Sequence, residues 1–510
     1  MSDRNILFIV LDQWRADALG CAGNPLIRTP HLDAIAADGV LFARHFAQCA
    51  PCGPSRASLL TGQYQHNHGV MRNGTPLAAR FTNLALECRK AGYEPALFGY
   101  TDTAVDPARH APNDPALRSY EQVMPGFQTE LYLPERPLRW LAHLASRGHD
   151  FGNDPLDAYR PAPLAHARGP THAPARFAAE HSISAFLTDE VLGYIGMRRD
   201  QPWFVHAAYI RPHPPFIASA PYHDLYHPEQ MPAARRAASS EREAATHPLL
   251  AAYLGSRRTT ASYVDGDCLV TSLPDAHLAQ LRATYYGMIT EVDAQIGRLI
   301  DQLKAWGQYE RTLIVVTSDH GEMLGDHWLL GKDSPFEQAY RVPLIVRDPD
   351  APAHAARGRA LTPFTESVDV MPTILQWAGL PPPRQCDGRS LLDWCHGRPP
   401  ADWRTEAHWE FDFRDTWQLN AQSALGLPID HCGLAALRDD HHLYLHFAAL
   451  PPLLYDLRAD PDCLNDLSRD PAAAPVLLDC AQRLLTWRMR SSARELTAMS
   501  TAPDGLLIRA

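Results

Sequence analysis

Four groups of polar residues in this chain each follow a short apolar run, and together they could hold a metal ion. Asp12-Gln13 follows the run 6–11, Tyr100-Thr101 follows 96–98, His213 follows 204–208, and Asp319-His320 follows 313–316. Asp12, Gln13, Asp319 and His320 offer carboxylate, amide oxygen and imidazole, a donor set suited to a divalent cation. One such Asp alone would more simply cap a loop or a helix, but two adjacent polar pairs behind two apolar runs favour a metal. A second feature is Cys52-Gly53-Pro54-Ser55-Arg56, followed by Ala57-Ser58-Leu59-Leu60-Thr61-Gly62. Pro54 suits the first turn of a helix. Cys52 then sits just before a helix N-terminus, where free N–H groups favour an anion. Arg56, about one turn on, can return to the same place as a fork for ester oxygens. Cys49-Ala50-Pro51-Cys52 also reads as a CxxC pair, redox-active or half of a zinc site. The ten cysteines contain no second such pair. A redox site leaves the Asp/His constellation unexplained, and a buried structural cysteine leaves Arg56 unexplained.

The elements that must position these groups are short buried strands alternating with helices. The runs 6–11, 96–98, 204–208, 313–316 and 344–346 read as buried parallel strands. Between them lie helical segments, the clearest with Val292, Ile296, Leu299, Ile300 and Leu303 on one face. This alternation predicts an α/β fold, a mostly parallel central sheet with helices on both faces. Sites in such sheets form beyond the carboxyl ends of the strands, which is where all four polar groups fall. Residues 131–176 are rich in Pro, His, Arg and Ala without a clean period and read as a long insertion near the substrate. Pro381-Pro382-Pro383 and Pro399-Pro400 bracket a transition. Residues 1–395 are expected to form the catalytic domain and 396–510 a smaller C-terminal α+β domain. In the latter, 443–447 and 453–457 read as strands of an antiparallel sheet. Val476, Leu477, Cys480, Leu484 and Trp487 read as the packed face of a terminal helix.

The bulk composition narrows the partners. The 510 residues hold 47 Lys+Arg against 58 Asp+Glu, a formal net charge of −11. Such a chain gains no counterion-release attraction for nucleic acid or anionic membrane, so neither is expected as a partner. An anionic substrate must be held by local cations instead. No run approaches the apolar length that spans a bilayer. Met1 to Asn5 lead straight into the first apolar run with no small-residue cleavage site, which places the protein in the cytoplasm. Scattered cysteines fit reduced thiols there.

Cys52-Gly53-Pro54-Ser55-Arg56 resembles the C-x-P-S-R signature of the sulfatase family within the alkaline phosphatase superfamily. Further landmarks of that family are Asp12, the run from Thr29 to Asp33, the run from Thr317 to His327, and Lys332. So are Asp387-Gly388-Arg389-Ser390-Leu391-Leu392 and Leu454-Tyr455-Asp456-Leu457, and the resemblance covers nearly the whole chain. It implies an alkaline-phosphatase-like fold. It also implies that a formylglycine-generating maturation enzyme oxidises Cys52 to formylglycine. Many sulfatases carry Asp-Asp, Asp-Asn and Gly-Lys where this chain has Asp12-Gln13, Asp319-His320 and Gly99-Tyr100. Those departures resemble the phosphonate monoester hydrolase and phosphodiesterase branch, which hydrolyses several ester classes at one site.

The resemblance implies one divalent metal ion held by Asp12, Gln13, residue 52, Asp319 and His320. Imidazole beside carboxylates favours Mn²⁺, with Ca²⁺ or Zn²⁺ as alternatives. The expected chemistry is attack of a hydrated formylglycine hydroxyl on a small-molecule ester. Arg56, Lys332 and the cation steady the ester oxygens, and His213 acts as general acid. Asn73, Tyr100 and Thr101 resemble further pocket residues of the branch. The expected function is hydrolysis of phosphonate monoesters and phosphodiesters with promiscuous sulfate ester hydrolysis. Alternatives are an arylsulfatase and an inactive oxyanion-binding relative. Members of the branch are homo-oligomers, often tetramers, and a homo-oligomer is expected here.

Overall fold

The structure, a computed structural model, describes residues 4–152, 154–416, 419–493, 496–497, 499–503 and 505–508. Its centre is the strand Asn5–Leu11, whose seven residues are all buried. A strand apolar on both faces must be covered on both, and here it is. It pairs in parallel with Thr312–Ser318 on one side and Phe204–Tyr209 on the other. The whole sheet has eight strands. Their order is Arg359–Leu361, Val40–Phe42, Leu344–Arg347, Thr312–Ser318, Asn5–Leu11, Phe204–Tyr209, Pro95–Gly99 and Gln128–Tyr132.

The expected α/β sheet is present, with one correction. Leu344–Arg347 runs antiparallel to Thr312–Ser318, where a parallel strand was expected. The expected insertion 131–176 is also not uniformly irregular. Its first residues close the edge strand Gln128–Tyr132, and the helix Leu138–Ser146 follows.

One face of the sheet carries the 31-residue helix Asp275–Ala305, with Val292, Ile296, Leu299, Ile300 and Leu303 buried as the period predicts. Each such side chain contributes roughly 1.5–3 kcal/mol by leaving water. The other face carries the helix Cys52–Thr61, all ten residues of which are buried, and the helix Val370–Trp377.

A second sheet of five strands joins Ala407–Asp412, Gly433–Arg438, His442–Phe447 and Leu453–Asp456 in antiparallel pairs. Its fifth strand comes from the other end of the chain. Cys49–Ala50 pairs in parallel with Ala407–Asp412, Glu410 opposite Cys49 and Phe411 opposite Ala50. The strand that delivers Cys52 is therefore an edge of the C-terminal sheet. The helix Ala474–Ser491 packs on this sheet through Cys480, Leu484 and Trp487, against Leu437, Tyr444 and Leu454. Among the described residues no helix is long and apolar enough to cross a membrane.

Candidate active site

Asp12 leaves the carboxyl end of the central strand, and Asp319-His320 leave the neighbouring strand Thr312–Ser318, so parallel register sets the two pairs side by side. Gln13 takes the left-handed backbone region, φ 68°. Strain of that kind persists only where the surroundings enforce it. Here the Gln13 N–H donates to Asp319 Oδ1 at 3.1 Å, and its carbonyl accepts from Tyr285 Oη at 2.7 Å. The helix Cys52–Thr61 delivers Cys52 from below, with Pro51 as its extended cap. Tyr100 arrives through Gly99, φ 114°, where an added Cβ would stand 2.3 Å from the Ala208 carbonyl oxygen. Only glycine lets the strand Pro95–Gly99 turn this close to its neighbour.

Ligand atoms of Asp12, Cys52, Asp319 and His320 lie within 4.8 Å of one another, and all four residues are buried. His320 Nδ1 is 3.1 Å from the Gly321 carbonyl, and that N–H donor leaves Nε2 as a lone pair. Burial, with Lys332 adding to it, lowers this imidazole to about 3, so it is neutral. Nε2 stands 3.2 Å from Cys52 Sγ, 3.9 Å from Asp12 Oδ1 and 3.8 Å from Asp319 Oδ1.

Two observations show that these residues fit a cation. Asp12 Oδ1 is buried without a hydrogen-bond partner, which costs on the order of 1–3 kcal/mol if nothing binds it. Burial and the charge of Asp12 also raise the Asp319 carboxyl to about 7, because the protein's own cations do not balance both acids. Burial opposes the charge on Asp12 too, but His213, Lys332, His320 and Arg56 together hold its carboxyl well below the usual range.

Arg56 differs from its expected place. It was expected to fork onto ester oxygens, but Nε donates to Asp319 Oδ2 at 2.9 Å and one terminal nitrogen to Asp12 Oδ2 at 2.9 Å. The other terminal nitrogen donates to the Tyr100 carbonyl at 3.1 Å. The guanidinium sits behind the carboxylates and fixes them. Tyr100 does the same: its ring lies 4.1 Å from the Arg56 guanidinium carbon and its hydroxyl donates to Asp12 Oδ2. Thr101 was expected in the pocket. Its hydroxyl instead donates to the Gln122 carbonyl at 3.1 Å and accepts from the Met124 N–H at 2.7 Å, so it organises the loop. Gln13 Oε1 accepts from Lys332 Nζ at 2.9 Å, and its amide nitrogen donates to Glu322.

The remaining expected residues gather at Cys52. Asn73 Oδ1 accepts from the Gly53 N–H at 2.8 Å. Burial works against the charge of Lys332, but Cys52, Asp12 and Asp319 outweigh it and keep the ammonium above its ordinary range. His213 Nδ1 lies 2.7 Å from the Pro214 carbonyl, which leaves Nε2 free. Burial and Lys332 lower this imidazole to about 4 against the pull of Asp12. The Cys52 thiol is pushed well above its usual value by burial, and by Asp12 and Asp319 against Lys332. A thiol so placed is a poor thiolate nucleophile. Cys49 takes no part: its Sγ meets Ser58 Oγ at 3.4 Å.

Two positioning residues were not singled out in the sequence. Glu322, inside the landmark run from Thr317 to His327, is buried, and its carboxylate also accepts from the Leu324 N–H at 3.0 Å. Arg211 donates to the carbonyls of His213 at 2.6 Å and Pro215 at 2.9 Å, which holds the His213 loop. Its place two residues before His213 is the only signal the sequence offers.

Comparison with known proteins covers both parts of the chain. The sulfatase family model matches residues 4–380, and that of the N-sulphoglucosamine sulphohydrolase C-terminal region matches 325–490. A multifunctional alkaline phosphatase superfamily protein, PehA of Trinickia caryophylli, is 42% identical over 514 aligned positions, covering 100% of both chains. A phosphonate monoester hydrolase of Agrobacterium radiobacter superposes with TM-score 0.95 at 43% identity, over 99% of this chain and 100% of that one. A second, from Silicibacter pomeroyi, gives 0.93 at 40% identity, over 99% of each.

Proposed function

The chain belongs to the sulfatase family of the alkaline phosphatase superfamily, and from that premise we propose that it hydrolyses phosphonate monoesters and phosphodiesters, with sulfate esters as slower substrates. The observation that carries this reading is full-length likeness to two phosphonate monoester hydrolases. We further infer one divalent cation, Mn²⁺ by donor type, held by Asp12, residue 52, Asp319 and His320, with Gln13 as the further donor expected from the sequence. The cation supplies Lewis acidity toward the ester and its nucleophile. Residue 52 acts as formylglycine, whose hydrate offers one hydroxyl for attack and a second that expels the product by C–O cleavage. The raised Cys52 thiol supports this reading, because the unmodified side chain is held in its unreactive form.

The chain's own residues do the rest. Arg56 and Tyr100 lock the two carboxylates, so the geometry is set before substrate arrives. Asn73 fixes the peptide after residue 52. Lys332 offers its remaining N–H groups to the nonbridging oxygens. His213, neutral and fixed through Nδ1, receives a proton at Nε2 and returns it to the leaving oxygen. With Arg56 committed to the carboxylates, few cations face the ester, so a dianionic phosphate monoester is bound least well.

Peptide mass spectrometry of active protein tests residue 52: formylglycine is expected, and a plain thiol in fully active enzyme would sink the reading. The function is tested by kcat/KM for matched nitrophenyl esters. Phosphonate monoester and phosphodiester should lead, with sulfate behind and phosphate monoester last. A clear lead for the sulfate ester would make the enzyme an arylsulfatase.

A further inference from the structure

Past residue 52, beyond the ends of the strands Pro95–Gly99 and Gln128–Tyr132, the charge pattern reverses. Asp102 follows the strand Pro95–Gly99, Glu135 follows the strand Gln128–Tyr132, and Glu121 lies on the loop that joins the two. None of the three forms an ion pair among the described residues. The loop is locked in place. Tyr120 Oη donates to Glu135 Oε1 at 3.3 Å, and the Glu135 N–H donates to Glu121 Oε1 at 2.6 Å. The Gln122 carbonyl accepts from the Thr103 N–H at 3.1 Å, which clamps the Tyr120 segment beside Asp102.

This wall faces residue 52. The Asp102 carbonyl lies 3.2 Å from where a Cβ on Gly53 would stand, and the Tyr120 Cβ lies 4.0 Å from where one on Gly74 would stand. The charge of Asp102 acts on Cys52 and Tyr120, and that of Glu135 acts on His213 and Lys332 across the opening. Asp102 is 5% exposed, and its Oδ1 has no hydrogen-bond partner. Burial, joined by Asp12, Glu135 and Glu121 against Arg56, holds its acid well above the ordinary range, as befits a carboxyl without a counter-ion.

Beside a site for anionic esters, the Glu135 carboxylate repels the substrate, and the buried Asp102 acid lacks a counter-ion, unless the substrate brings the positive charge itself. We propose that this wall is a subsite for a cationic ester substituent: an ammonium or quaternary ammonium group seated between Asp102 and Glu135, against the Tyr120 ring. The ring face attracts such a cation, the Glu135 carboxylate neutralises it, and the unpartnered Asp102 Oδ1 turns its lone pairs to it. The proposal deepens the phosphodiesterase reading and rests on it. The substrate class is then zwitterionic: a phosphodiester whose second substituent carries a nitrogen cation.

The test compares nitrophenyl phosphocholine with its uncharged dimethylbutyl isostere, in which carbon replaces the quaternary nitrogen. The metal-loaded, full-length enzyme should favour the cationic ester in kcat/KM by about tenfold or more. Added salt should shrink that ratio. In Glu135→Gln and Asp102→Asn the ratio should fall severalfold. Because the ratio is read, a general loss of activity in either variant cancels. Equal rates for the two esters, or a ratio untouched by salt and by both substitutions, would overturn the subsite while leaving the diesterase reading intact. If bis(nitrophenyl) phosphate is itself not hydrolysed, the diesterase reading fails. Choline against dimethylbutanol, as inhibitors of whichever ester is turned over, then decides the subsite: stronger inhibition by choline supports it, and equal inhibition ends it.

Discussion

On the inner wall of the site Arg56 is clasped by Asp12 and Asp319, whereas on the outer wall Asp102, Glu121 and Glu135 form no salt bridge among the described residues. The inner charges are buried in pairs and fixed by further hydrogen bonds, so their positions are specified before any ligand binds. On the outer wall burial keeps Asp102 in its acid form, and Glu121 and Glu135 stand without a salt bridge. Each wall also carries one buried carboxylate oxygen without a partner, Asp12 Oδ1 on one side and Asp102 Oδ1 on the other. The same signal thus points to two kinds of ligand: the proposed metal where the neighbours could be ligands, and the proposed substrate group where they are an aromatic ring and more acids.

The comparison breaks most visibly at Asp319. Asp319→Asn removes a ligand and half of the Arg56 clasp, and it should lower metal affinity by at least ~100-fold. Elemental analysis after gel filtration checks this. Asp102→Asn should leave metal content as it is, and loss of metal from it would dissolve the distinction between the walls. A smaller effect is expected of Tyr100→Phe, which deletes one hydrogen bond to Asp12 and keeps the ring under Arg56. Metal affinity should drop by about tenfold, as is usual when a partner of a metal ligand is lost, and activity should recover at saturating metal. Activity that does not recover would place the hydroxyl on the substrate instead.

The smallest effect lies in three buried histidines outside both walls. Burial lowers His45, His68 and His206 to about 3 from an ordinary 6.5. Each is neutral when folded, while the unfolded chain takes up protons below 6.5. Their contribution to stability is therefore complete above that value and is lost as pH falls toward 3. The Tm of metal-free protein should decline through this window. His206 stacks on Phe8 at 4.8 Å, and His206→Phe should remove about 1.4 kcal/mol of that decline per pH unit. An unchanged slope would mean that His206 takes no part.

Much of this was legible in the sequence. The strands 6–11 and 313–316 are apolar on both faces, so their place at the sheet centre followed, and with it the meeting of Asp12 with Asp319-His320. The direction of Leu344–Arg347 was not legible, because four apolar residues bury equally well in either sense. The strand Cys49–Ala50 is two residues long and leaves no periodic trace. Arg56, Tyr100 and Thr101 were expected in the pocket, but which way each side chain points depends on partners that the local sequence does not show. Arg56 turns to carboxylates 44 and 263 residues away. The outer wall was hidden for the same reason. Tyr120, Glu121 and Glu135 lie where no period announces an element, and only the fold sets them opposite Lys332.

The pairing of Cys49–Ala50 with Ala407–Asp412 also sets a clock. During synthesis the segment that carries Cys52 emerges long before the strand it must dock against. At ordinary elongation rates the delay is on the order of tens of seconds. Until residues 407–412 appear, Cys49 and Ala50 lack their sheet partner, and the cysteine two positions on stays within reach of other proteins. Afterwards it is 2% exposed at the base of a closed helix. An enzyme acting on residue 52 would therefore find it more accessible before residues 407–412 dock than after.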